Sequence, residues 1–178
     1  MINWHNLSIS VTNEDDTDLF QIVNRLPNLS KLRELIADPK IRQEICLDES
    51  CTLFAPTNFA IERIGDKIED IRKNKTTLKS FLKDHIVKEK FLFSHLRLLW
   101  NRSIKVESLN GELITLNTNA DPNTTPQEFS VMNGKAVIHD IEFKSQSKPK
   151  VGGSIYLLDS IINHKGTLSK TYILKCIL

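Results

Sequence analysis

The side chains able to do chemistry are few and scattered. Histidines stand at positions 5, 85, 95, 139 and 164, and cysteines at 46, 51 and 176. No two histidines have the short spacing that places both imidazoles on one helix face, and there is no C-x-x-C, so nothing points to a metal site. Nucleophilic catalysis needs a serine or cysteine with a base and an orienting group. No G-x-S-x-G elbow occurs, and Cys51 has no histidine signature around it. The Gly-Gly pair at 152–153 leads into a strand, without the lysine and hydroxyl spacing of a phosphate-binding loop. His139-Asp140 pairs a base with an acid in sequence, but neighbours along a strand face opposite sides of the sheet. The residues therefore predict a non-enzyme with no cofactor and no metal.

Two other chemistries bear on where the chain works. Five Asn-x-Ser/Thr sequons occur, at Asn6, Asn28, Asn74, Asn101 and Asn123, where chance placement would give roughly two. The excess favours an extracellular chain carrying N-linked sugar. Cys46 and Cys51 lie five apart, before a strand-like segment, while Cys176 stands alone. The close pair can bridge in an oxidising compartment or remain as two thiols, and the spacing leaves both open.

Charge excludes some partners. Twenty-four Lys plus Arg against 22 Asp plus Glu give a net charge of +2 and a pI near 8.4, below the range of a dedicated nucleic-acid binder. Between 62 and 105 there are 12 Lys plus Arg and six acids, and from 144 onward six lysines and one aspartate. Such clusters could draw sulfated polysaccharide, acidic protein or a membrane surface, but the acids among them and the lack of alternating aromatics favour solvated helix faces and loops. No apolar run is long enough to cross a bilayer. MINWHNLSISVT lacks the basic flank and apolar stretch of a secretory leader, so the chain is expected either to stay inside the cell or to be part of something longer.

At 178 residues, with 40% hydrophobic and 26% charged residues, one ordinary core is expected. Leu19, Ile22, Val23 and Leu26 follow helical spacing up to Pro27; Leu29, Leu32, Leu35 and Ile36 continue the stripe. Asp38-Pro39 is a helix start. TLFA at 52–55 reads as a buried strand, followed by Thr57 or Asn58 as a helix cap. Leu78, Phe81, Leu82, His85 and Ile86 share one helical face, which turns His85 towards the core, more as a hydrogen-bonded packing residue than as a ligand or base. We expect its bond to run towards the turn after the 52–55 strand. Beyond 103 the period shortens to two, with hairpins at Asn110-Gly111 and Asn133-Gly134, then a last strand in SIYLLDSII. Helices first and strands afterwards argue an α+β fold with antiparallel sheet.

The ordered segments resemble the fasciclin domain family. TLFAPTNFAI (52–61) is similar to its first signature; FLKDHIV (81–87) stands where the family has a Tyr-His helix and SLNGELITL (108–116) where it has a Leu-x-Gly hairpin. FSVMNGKAVIHDI (129–141) resembles its Val-x-Val-Asn-Gly hairpin ending in Asp-Ile, and GGSIYLLDSII (152–162) its closing strand. Asp84 replaces the family's tyrosine, Tyr156 a usual histidine, and Ser154 a common aliphatic residue.

The resemblance implies a wedge-like antiparallel β-sandwich flanked by helices, without catalysis, used mostly in extracellular adhesion and matrix proteins. It implies an N-terminal extension over 1–16, one domain over 17–163 and a tail over 164–178. A short-loop disulfide, Cys46 to Cys51, is implied by related domains. So are receptor contacts, integrin among them, at Asp84, His85, Asp140 and Ile141, although a structural role is favoured for both motifs, with His85 and Ile141 as packing residues. The expected function is protein or glycan recognition at the cell surface or in the matrix, as part of a longer secreted or anchored protein. The alternative is a carrier of a hydrophobic small molecule, a pigment or lipid.

Overall fold

A computed structural model describes residues 19–45, 51–91, 103–117, 128–131, 134–144 and 152–162, with backbone only for 128–130, 134–144 and 152–153. Its first part is helical for the reasons the apolar spacing gives. Helix α1 (Leu19–Arg25) buries Leu19, Ile22 and Val23, and Pro27 opens a 3-10 turn (Pro27–Leu29) instead of extending the helix. Helix α2 (Ser30–Leu35) buries Leu32 and Leu35. In α3 (Pro39–Glu44) the Lys40 N–H donates to the Asp38 carboxylate at 2.9 Å, with Pro39 in the first turn, where no donor is needed.

None of these helices is long enough to be stable alone. Their stripes hold because they share one apolar cluster with Leu53 and Ala55 of β1 (Thr52–Pro56) and Ile155 and Leu157 of β7 (Gly152–Leu158). Among the described residues three more helices follow β1: α4 (Asn58–Glu62), α5 (Lys67–Lys73) and α6 (Lys75–Asp84). Helix α6 buries Leu78, Phe81 and Leu82 on the predicted face and gives way to a two-residue strand, β2 (Ile86–Val87).

The remaining described strands are β3 (Ser103–Glu107), β4 (Leu113–Asn117), β5 (Glu128–Val131) and β6 (Gly134–Lys144). All seven form one ladder in the order β2-β1-β7-β6-β5-β4-β3. The α+β class holds, with a mixed sheet in place of the expected antiparallel one. β1 runs parallel to β7, from Thr52 opposite Ser154 to Pro56 opposite Leu158, and the other pairings are antiparallel. The physical reason is burial on both faces. Leu53, Ala55, Ile155 and Leu157 meet the helices, while Phe54, Tyr156 and Leu158 turn into a second cluster with Val106, Ile114, Leu116 and Val131. A strand apolar on both faces suits a parallel pair.

The ladder is rolled rather than flat. Its two ends would lie roughly 29 Å apart in a flat sheet at the usual strand spacing. Instead the Leu109 N–H, just after β3, donates to the Ile86 carbonyl of β2 at 2.8 Å, and Val87 bridges Ser108. The roll encloses the second cluster.

The β3–β4 hairpin turns through Ser108–Glu112. The Gly111 N–H donates to the Ser108 carbonyl at 2.9 Å and the Ser108 N–H to the Glu112 carbonyl at 2.8 Å, with Gly111 at φ 80°. Glycine is needed there because the left-handed backbone is strained for other residues. β5 and β6 pair antiparallel up to Val131 opposite Gly134, as expected of the second hairpin, though Asn133 lies outside the described residues.

Candidate functional site

The end of α6 carries two of the residues singled out by sequence, Asp84 and His85. His85 is the C-cap of α6 and is 1% exposed. Its ring lies 4.8 Å from that of Phe81. Nδ1 is 2.8 Å from the Phe81 carbonyl, and the Ile162 N–H donates to Nε2 at 3.1 Å. A carbonyl can only accept and an N–H only donate, so these partners assign the neutral tautomer with the proton on Nδ1. The expected bond towards the turn after 52–55 is made elsewhere: it is the His85 backbone carbonyl that accepts from Phe54 N–H of β1, at 2.9 Å. Both ring nitrogens are committed inside the domain, which leaves neither for proton transfer or metal binding.

Asp84, 2% exposed, accepts from Asn110 Nδ2 at 2.7 Å. The same amide reaches the Ser80 carbonyl at 2.7 Å and Ser80 Oγ at 2.9 Å. The predicted Asn-Gly turn thus has divided duties: Gly111 supplies the left-handed backbone, and Asn110 fastens the hairpin to α6. Asp84 and His85 adjoin in sequence but serve different anchors.

Asp140 and Ile141 lie on β6, where the ladder loses its regular register. Ile138 is opposite Tyr156, yet Ile141 is opposite Ile155, so His139 and Asp140 are extra residues in a bulge. Strict alternation of faces does not apply to that pair, and its side chains lie outside the described residues.

The Pro-Thr-Asn junction carries a role that cap spacing only half indicated. The Thr57 hydroxyl donates to the Leu158 carbonyl at 2.9 Å and accepts from Ala60 N–H at 3.4 Å, capping α4. Asn58 reaches back to α2. Its Oδ1 accepts from Lys31 N–H at 2.9 Å, while Nδ2 donates to Ser30 Oγ at 2.9 Å and the Pro27 carbonyl at 3.2 Å. Asn58 thereby caps a helix 27 residues earlier in the chain. At the family's usual histidine position, Tyr156 stacks on Phe54 with centroids 5.8 Å apart and donates to the Phe91 carbonyl at 2.6 Å. The Ser154 hydroxyl is buried without a hydrogen-bond partner among the described residues.

Three basic side chains of the 62–105 stretch meet acids from other elements. Arg72 meets Glu34 at 2.6 Å, Lys79 meets Glu44 at 2.6 Å and Lys75 meets Asp38 at 3.6 Å. Those acids come from α2, α3 and the α3 cap, outside the stretch itself. Asp38 has its carboxyl held below the usual carboxylate range, chiefly by the Lys40 backbone N–H; partial burial opposes this and the Lys75 charge assists. Under α6, an apolar void of about 10 Å³ is lined by Leu32, Ile36, Phe81, His85 and Ile86 among others. That is too small for a pigment or lipid. Among the described residues no His, Cys, Asp and Glu side chains group as metal ligands, and no helix is long and apolar enough to cross a membrane.

Of the other expected sites, Cys51 is buried just before β1 and Cys46 lies outside the described residues. Asn74 is exposed and Asn28 half-buried, while Asn6, Asn101 and Asn123 also lie outside.

The fold is similar to that of a FAS1 domain pair from the insect cell adhesion molecule fasciclin I. The TM-score is 0.54 at 18% identity, over 76% of this chain and 45% of that one. The chain thus spans less than half the length of that pair. No curated protein matches it. The sequence profile of the fasciclin domain matches residues 27–164, and the chain belongs to the fasciclin domain family.

Proposed function

We propose that the chain is a non-catalytic adhesion or matrix-binding module, working outside the cell or at its surface as part of a longer secreted or anchored protein. Its partners are proteins such as an integrin-type receptor, or a sulfated glycan. The family match over 27–164 carries this reading, and the commitment of both His85 nitrogens to the backbone supports it. A single domain over 17–163, between an extension at 1–16 and a tail at 164–178, agrees with burial of Leu19 and of Ile162.

Within the expected contact set, Asp84 and His85 act as internal anchors. Asp140, at the β6 bulge, is the residue we assign to the receptor, while Ile141 keeps the packing role expected of it. Cell attachment to the immobilised domain is expected to fall several-fold in Asp140→Ala with its melting temperature retained; undiminished attachment would remove Asp140 from the contact. The Cys46–Cys51 bridge belongs to the same reading. Intact mass of the alkylated protein, with and without prior reduction, should differ by two alkyl groups, and no difference means no bridge.

A further inference from the structure

Two of the five sequons fall on described residues, and the fold treats them oppositely. Asn28 sits in the 3-10 turn before α2, with Oδ1 and Nδ2 both buried and without hydrogen-bond partners among the described residues. Asn74 is exposed at the start of α6, where Oδ1 accepts from the N–H groups of Thr76 at 3.0 Å and Thr77 at 3.1 Å. Its Nδ2 takes no part in that cap. We propose that Asn74 is an acceptor for N-linked oligosaccharide, and that burial closes Asn28 to sugar in the folded protein. The inference rests on the extracellular reading for its setting.

The chemistry leaves the cap in place. Asn74 Nδ2 bonds to the anomeric carbon of a lipid-pyrophosphate-linked oligosaccharide, whose carbon–oxygen bond breaks. The lipid pyrophosphate leaves with the electron pair, and one Nδ2 proton passes to a base of the transferase. Oδ1 stays a carbonyl and still accepts from Thr76 and Thr77, so sugar and helix cap coexist. At Asn28 the bulk would have to enter a packed turn beside Leu29 and Leu32, both buried. A chain modified there early in synthesis could not close its first core cluster, and the folded product is depleted of it.

The test is the full chain secreted from a glycosylating eukaryotic cell behind an added leader. Peptide mapping follows enzymatic sugar release in heavy-oxygen water, which marks each asparagine that carried sugar. Asn74 is expected to be marked and Asn28 unmarked in folded, monodisperse product. Thr76→Ala, which removes an exposed hydroxyl and keeps the Asn74 cap, should lose the mass of one glycan. Asn28→Ala should leave the glycan mass unchanged. An unmarked Asn74, or a marked Asn28 in folded product, overturns the inference. The setting is read separately from the native transcript. If that product is not secreted, the extracellular reading fails while the accessibility of the two sites is still decided by the mapped chain.

Discussion

With Nδ1 donating to the Phe81 carbonyl and Nε2 accepting from the Ile162 N–H, the His85 ring ties the end of α6 to the chain after β7. His85→Ala removes a packed ring and leaves the Ile162 N–H without its partner. Unfolding free energy from chemical denaturation is expected to drop by about 3 kcal/mol, and a variant as stable as the parent would contradict the role. Helical spacing made the burial of this ring legible, because Leu78, Phe81 and Leu82 define the face. Its partner was not legible: Ile162 lies 77 residues away, and only tertiary structure brings its N–H to the ring. Asp84 teaches the same lesson, since no local pattern links it to an asparagine on a later hairpin.

Among the elements, α3 shows a cap whose strength depends on protonation. The Asp38 carboxyl is depressed in the folded state, first by the Lys40 N–H. Its contribution is therefore present above the unfolded carboxylate pKa and is lost as pH falls through the lower folded value. Asp38→Asn keeps a capping oxygen but does not titrate. The acid-side fall in melting temperature should be shallower in that variant, and superimposable curves would show that titration of the Asp38 carboxylate does not contribute to stability. The Asp38-Pro39 start was readable because both residues act within one turn. Helix α5 was not: in KIEDIRK only Ile71 is buried, too little apolar periodicity to register. The capping of α2 by Asn58 was hidden for another reason, since that cap comes from outside the helix. Strand pairing was legible for the β3–β4 ribbon, where Gly111 sets the turn. In TLFA and IYLL the continuous apolar runs gave burial but not direction, and β1 and β7 proved parallel.

At the scale of the whole molecule, the meeting of β2 with the segment after β3 turns seven strands into a closed wrapper around Phe54, Tyr156 and Ile114. The Leu109 amide, which donates to Ile86, should then exchange with solvent as slowly as the amides paired between β1 and β7. Fast exchange at Leu109 alone would mean that the seam opens independently. The β1–β7 pairing also has a temporal side. Thr57 and Leu158, joined by a hydrogen bond, are 101 residues apart, and β1 has apolar residues on both faces with no permanent neighbour on the β7 side until the chain has been made that far. A nascent chain stalled on the ribosome before residue 152 would carry that strand half covered, so translation must run nearly to the end of the domain before its central pair can form. Any premature stop upstream of β7 yields a sticky product for chaperones rather than a smaller working domain.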